Sequence, residues 1–362
     1  MSALAHSSAA ERYAAFDPAL PGSTLKEHWK YTRLRQFAEA LQQTMGGKNA
    51  LQIRTSLAAK SLVTVPSGAS TEASAAEVLL GPALDWSKYP LADGLFSCAE
   101  GWQLRVDEGS QINAQISLGD GQGYGLVSLA PMAKAQIELN LNSQNHALAA
   151  LLIDLQPGAS LTLDTTALSA EGLCWLLTRV RLAENASLKL RQYFAGLGNH
   201  RLETHVLMAG AQSRANLLGA SIAGEGCRLD QQFTVEHDTR DATSHQRFHC
   251  VGLARSQSNF NGRIHIHPGA QQTLAELNNR NLALADDAQL NTKPELEIYN
   301  DDVRCAHGAT VGQLDADALF YSRSRGIPEA MARRLLTIGF LKQCVEGPNA
   351  DAAFTAIEQL IA

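Results

Sequence analysis

Leu155-Gln156-Pro157-Gly158-Ala159-Ser160-Leu161-Thr162-Leu163 is followed 27 residues later by Leu182-Ala183-Glu184-Asn185-Ala186-Ser187-Leu188-Lys189-Leu190. Each stretch joins an apolar residue to a short turn and then to an alternating run. The turn carries Gly or Asn, which tolerate positive φ, followed by Ala and Ser. Alternation at period two is the pattern of a strand with one buried face. Similar turns occur at Met208-Ala209-Gly210-Ala211-Gln212, His267-Pro268-Gly269-Ala270-Gln271 and Ala285-Asp286-Asp287-Ala288-Gln289. The alanines at 159, 186, 211, 270 and 288 lie 27, 25, 59 and 18 residues apart. A loose period of about 20–30 residues predicts stacked coils of a β-solenoid, each pairing with the next at about 4.8 Å. A β-sandwich with similar turns is the competing architecture.

Alternating runs such as Gln103-Leu104-Arg105-Val106, Gln111-Ile112-Asn113-Ala114-Gln115-Ile116 and Arg263-Ile264-His265-Ile266 extend this texture over 95–312. The flanks differ. Residues 1–94 are helical and mixed: Tyr31, Leu34, Phe37, Ala38 and Leu41 form an amphipathic stripe ended by Gly46 and Gly47. Pro66, Gly68, Gly81, Pro82 and Pro90 then break the chain into short pieces. Residues 313–362 return to a helical period, with one face at Leu314, Ala318, Leu319 and Ser322 and a stop and restart at Gly326 and Pro328. Met331, Leu335, Ile338, Gly339 and Lys342 predict a second helix, and Ala353, Ile357, Leu360 and Ile361 a third. These helical parts are expected to cover the open edges of the solenoid.

The composition agrees with a folded, soluble chain. Of 362 residues 45% are hydrophobic, which excludes wholesale disorder, and the 21 aromatics leave the core to small aliphatic side chains. A net charge of −6 without a Lys/Arg stripe argues against nucleic acid. Cys98, Cys174, Cys227, Cys250, Cys305 and Cys344 contain no C-x-x-C pair, so neither a zinc ribbon nor a disulfide framework is expected. Met1 to Ala10 lacks the features of a secretion signal. The longest apolar run, Ala147 to Ile153, falls well short of the roughly 20 residues a membrane helix needs. A reduced, cytoplasmic protein with no membrane contact is expected.

Common catalytic motifs are missing: Gly46-Gly47-Lys48-Asn49 is not a Walker A loop, and there is no H-E-x-x-H or G-x-S-x-G. The alternating Gly119, Gly121, Gly123 and Gly125 fail the dinucleotide pattern and are read as a loop. Two clusters stand out. His265-Ile266-His267 places two imidazoles on one face of a strand, about 6.7 Å apart at Cα. They are either a metal seat or two exposed flanks of a core Ile266. In the second cluster, Leu296 and Ile298 point one way, and Glu295, Glu297 and Tyr299 the other. Cys305 and His307 share a face two residues apart, with Asp301 and Asp302 just before them. A thiolate and an imidazole near carboxylates make a partial iron or iron–sulfur site that a second chain must complete; a buried structural Cys is the alternative. Neighbours on one strand seldom reach the geometry of a Cys–His nucleophile.

This segment, Thr292-Lys293-Pro294-Glu295-Leu296-Glu297-Ile298-Tyr299 followed by Asp301-Asp302-Val303-Arg304-Cys305-Ala306-His307-Gly308-Ala309-Thr310-Val311-Gly312, resembles the SufD branch of the SufB/SufD family of the SUF iron–sulfur assembly machinery. Leu319-Phe320-Tyr321, Arg323-Ser324-Arg325-Gly326-Ile327, Phe260-Asn261-Gly262-Arg263-Ile264, Asn279-Arg280-Asn281-Leu282 and His28-Trp29-Lys30-Tyr31-Thr32 are similar as well. Ala306, Glu295 and Asn291 depart from the family's frequent Ser, Gln and Asp. The resemblance implies a mainly β fold, a right-handed parallel β-helix between helical regions. It also implies a non-catalytic scaffold in a complex with SufB and the ATPase SufC. Cys305 and His307 would be the cluster-assembly residues at the SufB interface, with Glu295, Glu297, Asp301 and Asp302 as supporting acids. The region of Leu319, Phe320, Tyr321, Arg323, Arg325 and Ile327 would bind SufC. No cofactor is expected to stay on this chain alone. A transient iron–sulfur cluster would belong to the SufB interface, and FAD only to the full complex. An unpartnered solenoid edge predicts a homodimer in isolation. The alternative function is a β-helix polysaccharide lyase or hydrolase using Glu295, Glu297, Asp301 and Asp302, which would want an export signal. A SufB-type subunit is disfavoured by the Cys-x-His pattern and by the lack of clustered N-terminal cysteines.

Overall fold

The computed structural model describes residues 29–30, 32, 34–44, 95, 101–141 and 144–361, and the backbone of 51–55 and 62–65. His28, Tyr31, Gly46, Gly47, the breaks between Pro66 and Pro90, and Cys98 lie outside the described residues.

The alternating runs form strands that wind between two nine-stranded sheets. One sheet holds β1 (Leu51–Thr55), β4 (Gln111–Leu118), β6 (Lys134–Leu141), β8 (Ser160–Ala170), β10 (Ser187–Gly196), β12 (Arg214–Ala223), β14 (Thr243–Gly252), β16 (Thr273–Ala283) and β18 (Val303–Gln313), in that spatial order. The other holds β2 (Leu62–Val65), β3 (Gly101–Val106), β5 (Gly121–Leu129), β7 (His146–Leu155), β9 (Leu173–Leu182), β11 (Asn199–Met208), β13 (Arg228–His237), β15 (Gln257–Ile266) and β17 (Gln289–Ile298). Pairing is parallel from β3 and β4 onward, while β1 and β2 add antiparallel strands at the N-terminal end. The architecture is a parallel β-solenoid, as the period predicts, and the sandwich is excluded.

Turn chemistry sets the coil length. Met132, Gly158, Asn185, Gln212, Asp241 and Gln272 all adopt positive φ, between 55° and 71°. Each donates its N–H to a carbonyl of the next coil: Gly158 to Glu184 at 2.8 Å, Asn185 to Ala211 at 2.9 Å and Asp241 to Gln271 at 2.9 Å, for example. The left-handed conformation costs a non-glycine residue roughly 1–2 kcal/mol, and the ladder of turn hydrogen bonds offsets it. The sequence motif is therefore corrected at three places. The left-handed residues of the third and fourth turns are Gln212 and Gln272, not Gly210 and Gly269, and Asp287 belongs to turns on the opposite edge. The expected loop at 119–125 is also corrected, because Gly121–Leu129 is strand β5. A Cβ on Gly125 would lie 2.2 Å from the Trp102 ring, so the glycine makes room for the aromatic of the adjacent strand.

Inward positions of both sheets form one core, with Phe233, Phe248 and Phe260 packed across it at ring centroids of 3.9 to 5.7 Å. The outer faces are covered by helices. On the odd-numbered strands, α1 (Leu34–Thr44) buries Leu34, Phe37, Ala38 and Leu41 against Leu126, Leu148, Leu152 and Trp175. Each such large apolar side chain contributes about 1.5–3 kcal/mol. Trp29 lies over the Arg201 guanidinium, 4.1 Å from the ring centroid, and the Thr32 hydroxyl donates to Asp230. Trp29 and Thr32 are thus pinned to the solenoid wall.

Three helices follow the last strand: α2 (Ala316–Ser324), α3 (Glu329–Lys342) and α4 (Ala350–Leu360). The end of α3 and one face of α4 pack on Tyr193, Ala220, Ile222 and Val251 of the even-numbered strands. The connection between them is clamped: Tyr193 Oη donates to the Glu346 carbonyl at 2.6 Å and accepts from the Glu346 N–H at 2.9 Å. These helices lie along the outer face, so the expectation that they cover the open edges is overturned. Among the described residues, β17 and β18 end their sheets with no further strand beside them. Among the described residues no helix is long and apolar enough to cross a membrane.

Candidate functional site at the open end of the solenoid

Cys305 and His307 lie on β18, the terminal strand of its sheet. Parallel register stacks Cys305 on Ala275 and His307 on Leu277, both inward positions of β16. The two side chains therefore face the mouth of the core and share a face, as their spacing predicts. Cys305 is half-buried and packs against the core edge, whereas His307 is exposed. Burial pushes the Cys305 thiol up, opposed by a backbone hydrogen bond from Ala275. The other described cysteines, Cys174, Cys227, Cys250 and Cys344, are buried and unpaired, and burial raises the thiols of Cys174 and Cys344 to about 12. Cys305 alone among them reaches the surface.

The acids do not join this pair. Glu295 and Glu297 are on β17, in the opposite sheet, and their register partners Arg263 and His265 belong to the outer face. Glu297 accepts from Arg263 Nε and Nη2 at 2.9 and 2.6 Å, and lies 2.8 Å from His265 Nδ1. These contacts hold its carboxyl down at about 2. Glu295 pairs with Lys293 at 2.7 Å. Asp301 and Asp302 occupy the exposed turn before β18. Alternation places the acids outside the solenoid wall while Cys305 and His307 look into its interior.

His265 and His267 flank a fully buried Ile266, with ring centroids 4.2 Å apart. His267 lies 3.4 Å from Glu236 and His265 is taken up by Glu297. Among the described residues no cluster of three or more His, Cys, Asp or Glu side chains is arranged to hold a metal ion. What the sequence does not reveal is a charged network linking this pair inward. His205 meets Arg179 at Nδ1, 2.7 Å away, and Glu236 at Nε2, 3.0 Å away. Burial lowers the pKa of its ring, opposed by the neighbouring Glu236. Only the register between coils brings these distant residues together.

The C-terminal helices hold a second exposed surface. Asp315 caps α2, accepting from the N–H groups of Asp317 and Ala318 at 2.9 and 3.2 Å. That helix buries none of its residues. Phe320 is 72% exposed and Tyr321 60%, while Leu319 and Ile327 are half-buried. Arg325 sits over the Tyr321 ring, and Arg323 lies 3.4 Å from Glu329. The second helix predicted over Met331 to Lys342 is α3. The helix buries Ala332, Thr337 and Leu341, while Met331 and Leu335 face outward beside α2. Phe320, Tyr321, Met331 and Leu335 all stand exposed on these two helices.

Residues 121–340 match the family described as SUF system FeS cluster assembly, SufBD core domain. The chain belongs to the SufBD family. Its relatives include the iron–sulfur cluster assembly protein SufD of Escherichia coli, 34% identical over 46% of this chain and 39% of that protein. A SufBD family protein of Synechocystis is 31% identical over 47% of this chain and 44% of its own length. The chloroplastic protein ABCI7 of Arabidopsis thaliana is 33% identical over 48% of this chain and 37% of its own. The matched stretches thus span less than half of these relatives. The family is described as one of SUF system FeS cluster assembly and gives no support to the lyase alternative, whose acids are held in outer-face ion pairs or spread on a turn.

Proposed function

We propose that this chain is a non-catalytic scaffold subunit of a cytoplasmic SUF complex, pairing through its open solenoid end with a SufB-like subunit. The observation that carries the reading is the last coil: two edge strands with no outer neighbour among the described residues and, on β18, an inward-facing thiol and imidazole at the mouth of the core. Edge strands of this kind accept a partner's strands by main-chain hydrogen bonding. A partner seated there would bring its own ligands over Cys305 and His307 and so complete the half site. The iron–sulfur cluster is cargo formed at that shared surface; no cofactor stays on this chain alone, and FAD belongs to the full complex. Leu319, Phe320, Tyr321, Arg323, Arg325 and Ile327, extended by Met331 and Leu335, form the surface for a SufC-like ATPase. Without partners, the same edge supports a homodimer.

Co-expression with SufB- and SufC-like proteins tests the reading, with co-purification of all three expected and separate elution under gentle conditions contradicting it. Cys305→Ala and His307→Ala are expected to leave the complex assembled while impairing cluster maturation in cells. Normal maturation in both variants would reduce the pair to a structural role.

A further inference from the structure

Most inward positions of the solenoid are apolar, and one group of exceptions lies directly beneath the open end. Ser213, in the turn before β12, His237 at the end of β13, and Ser244 and Gln246 on β14 are all at most 2% exposed. His237 Nε2 and Ser244 Oγ lie 2.9 Å apart. Ser213 Oγ, His237 Nδ1 and both Oε1 and Nε2 of Gln246 find no hydrogen-bond partner among the described residues. An apolar core that left these atoms dry would bear the full desolvation of each.

Room for a ligand follows from the stacking. One column runs Leu161, Leu188, Ala215, Ser244, Ala275, Cys305, and the next runs Leu217, Gln246, Leu277, His307. Leu161 and Leu188 give way in this column to the smaller Ala215, Ser244 and Ala275. Ser213 and Ala242 keep the adjoining turn positions small as well. The polar group therefore sits beside small side chains, two coils below Cys305 and His307.

We propose that Ser213, His237, Ser244 and Gln246 form an internal hydration site, holding ordered water within the solenoid core beneath the Cys305–His307 pair. The ligand is neutral, because no charged side chain faces inward here and burial holds the His237 ring uncharged, with a pKa lowered to about 4. Water supplies both donors and acceptors, which the mixed set of Ser213, His237 and Gln246 atoms requires. On these two columns only Ala275 and Leu277 separate the site from the last coil, so its water exchanges through that end. The hydration site stands independently of the proposed partner.

A high-resolution crystal structure of the full chain decides the matter. Ordered density within hydrogen-bonding distance of Ser213 Oγ and the Gln246 amide is expected, and it should vanish in Ser213→Ala and Gln246→Leu. Neither variant should then melt at a higher temperature than the parent. An empty pocket, or one closed by rearranged side chains, overturns the proposal. A Tm raised by Ser213→Ala would do the same, because deleting an unpaired hydroxyl from a dry core stabilises it. Should Gln246→Leu fail to fold, Ser213→Ala, which removes a single oxygen, carries the thermal comparison.

Discussion

The middle coils and the last coil are built from the same strand–turn–strand unit, yet they are finished differently. In β9 to β14 every strand has a neighbour on each side, inward side chains are buried, and helices or ion pairs cover much of the outer faces. In β17 and β18 no residue is fully buried, and Ile298, Tyr299 and Val311 stand exposed beside an unpaired edge. A solenoid that ended for its own stability would cap this coil, as repeat proteins do at their termini. Here the C-terminal helices bypass it and pack along the side. The difference separates what holds the fold from what the fold offers to another molecule.

That contrast can be broken by substitution. Phe248→Ala, in the aromatic cluster of the middle coils, should cost about 3–5 kcal/mol, read as a large loss in a denaturant or thermal melt. An effect under about 1 kcal/mol would mean that the middle coils are less tightly packed than their contacts indicate. Glu297 tests what holds β17 to the coil below it. Arg263 first, and His265 with it, keep the folded carboxyl near 2, below the ordinary carboxylate value of about 4.5. A depressed folded pKa gives stability that is present above the unfolded value and is lost as pH falls through the folded one. The parent should therefore lose stability between about pH 4.5 and 2, and Glu297→Gln should flatten that part of the profile. An unchanged acid profile would remove the ion pair from the account. The smallest effect is expected for Val311→Ala at the open edge, within about 0.5 kcal/mol of the parent in thermal melts; a larger loss would show that the last coil is part of the stable core.

Much of this fold is legible in the sequence because solenoid strands keep strict alternation and their turns repeat. Gly158 and Asn185 announce the left-handed turn position, and Cys305 and His307 announce a shared face. Gln212 and Gln272 do not, since it is the hydrogen bond to the next coil that holds them at positive φ, and side-chain type is a poor guide to that. Glu295 and Glu297 look adjacent to Cys305 in sequence and prove to lie across the wall, because consecutive strands belong to opposite sheets. Met331 and Leu335 announce the helix but not their exposure. Periodicity identifies an apolar face, but not whether the chain itself or a partner covers it.

Hydrogen exchange tests the central claim, that the last coil is an open face awaiting a partner. At a dilution where the chain is monomeric, amides of 289–313 should exchange much faster than those of 173–252, and adding the SufB-like partner should slow 303–313 selectively. Protection of 303–313 equal to that of the middle coils in the monomer, or exchange there that the partner leaves unchanged, would contradict it.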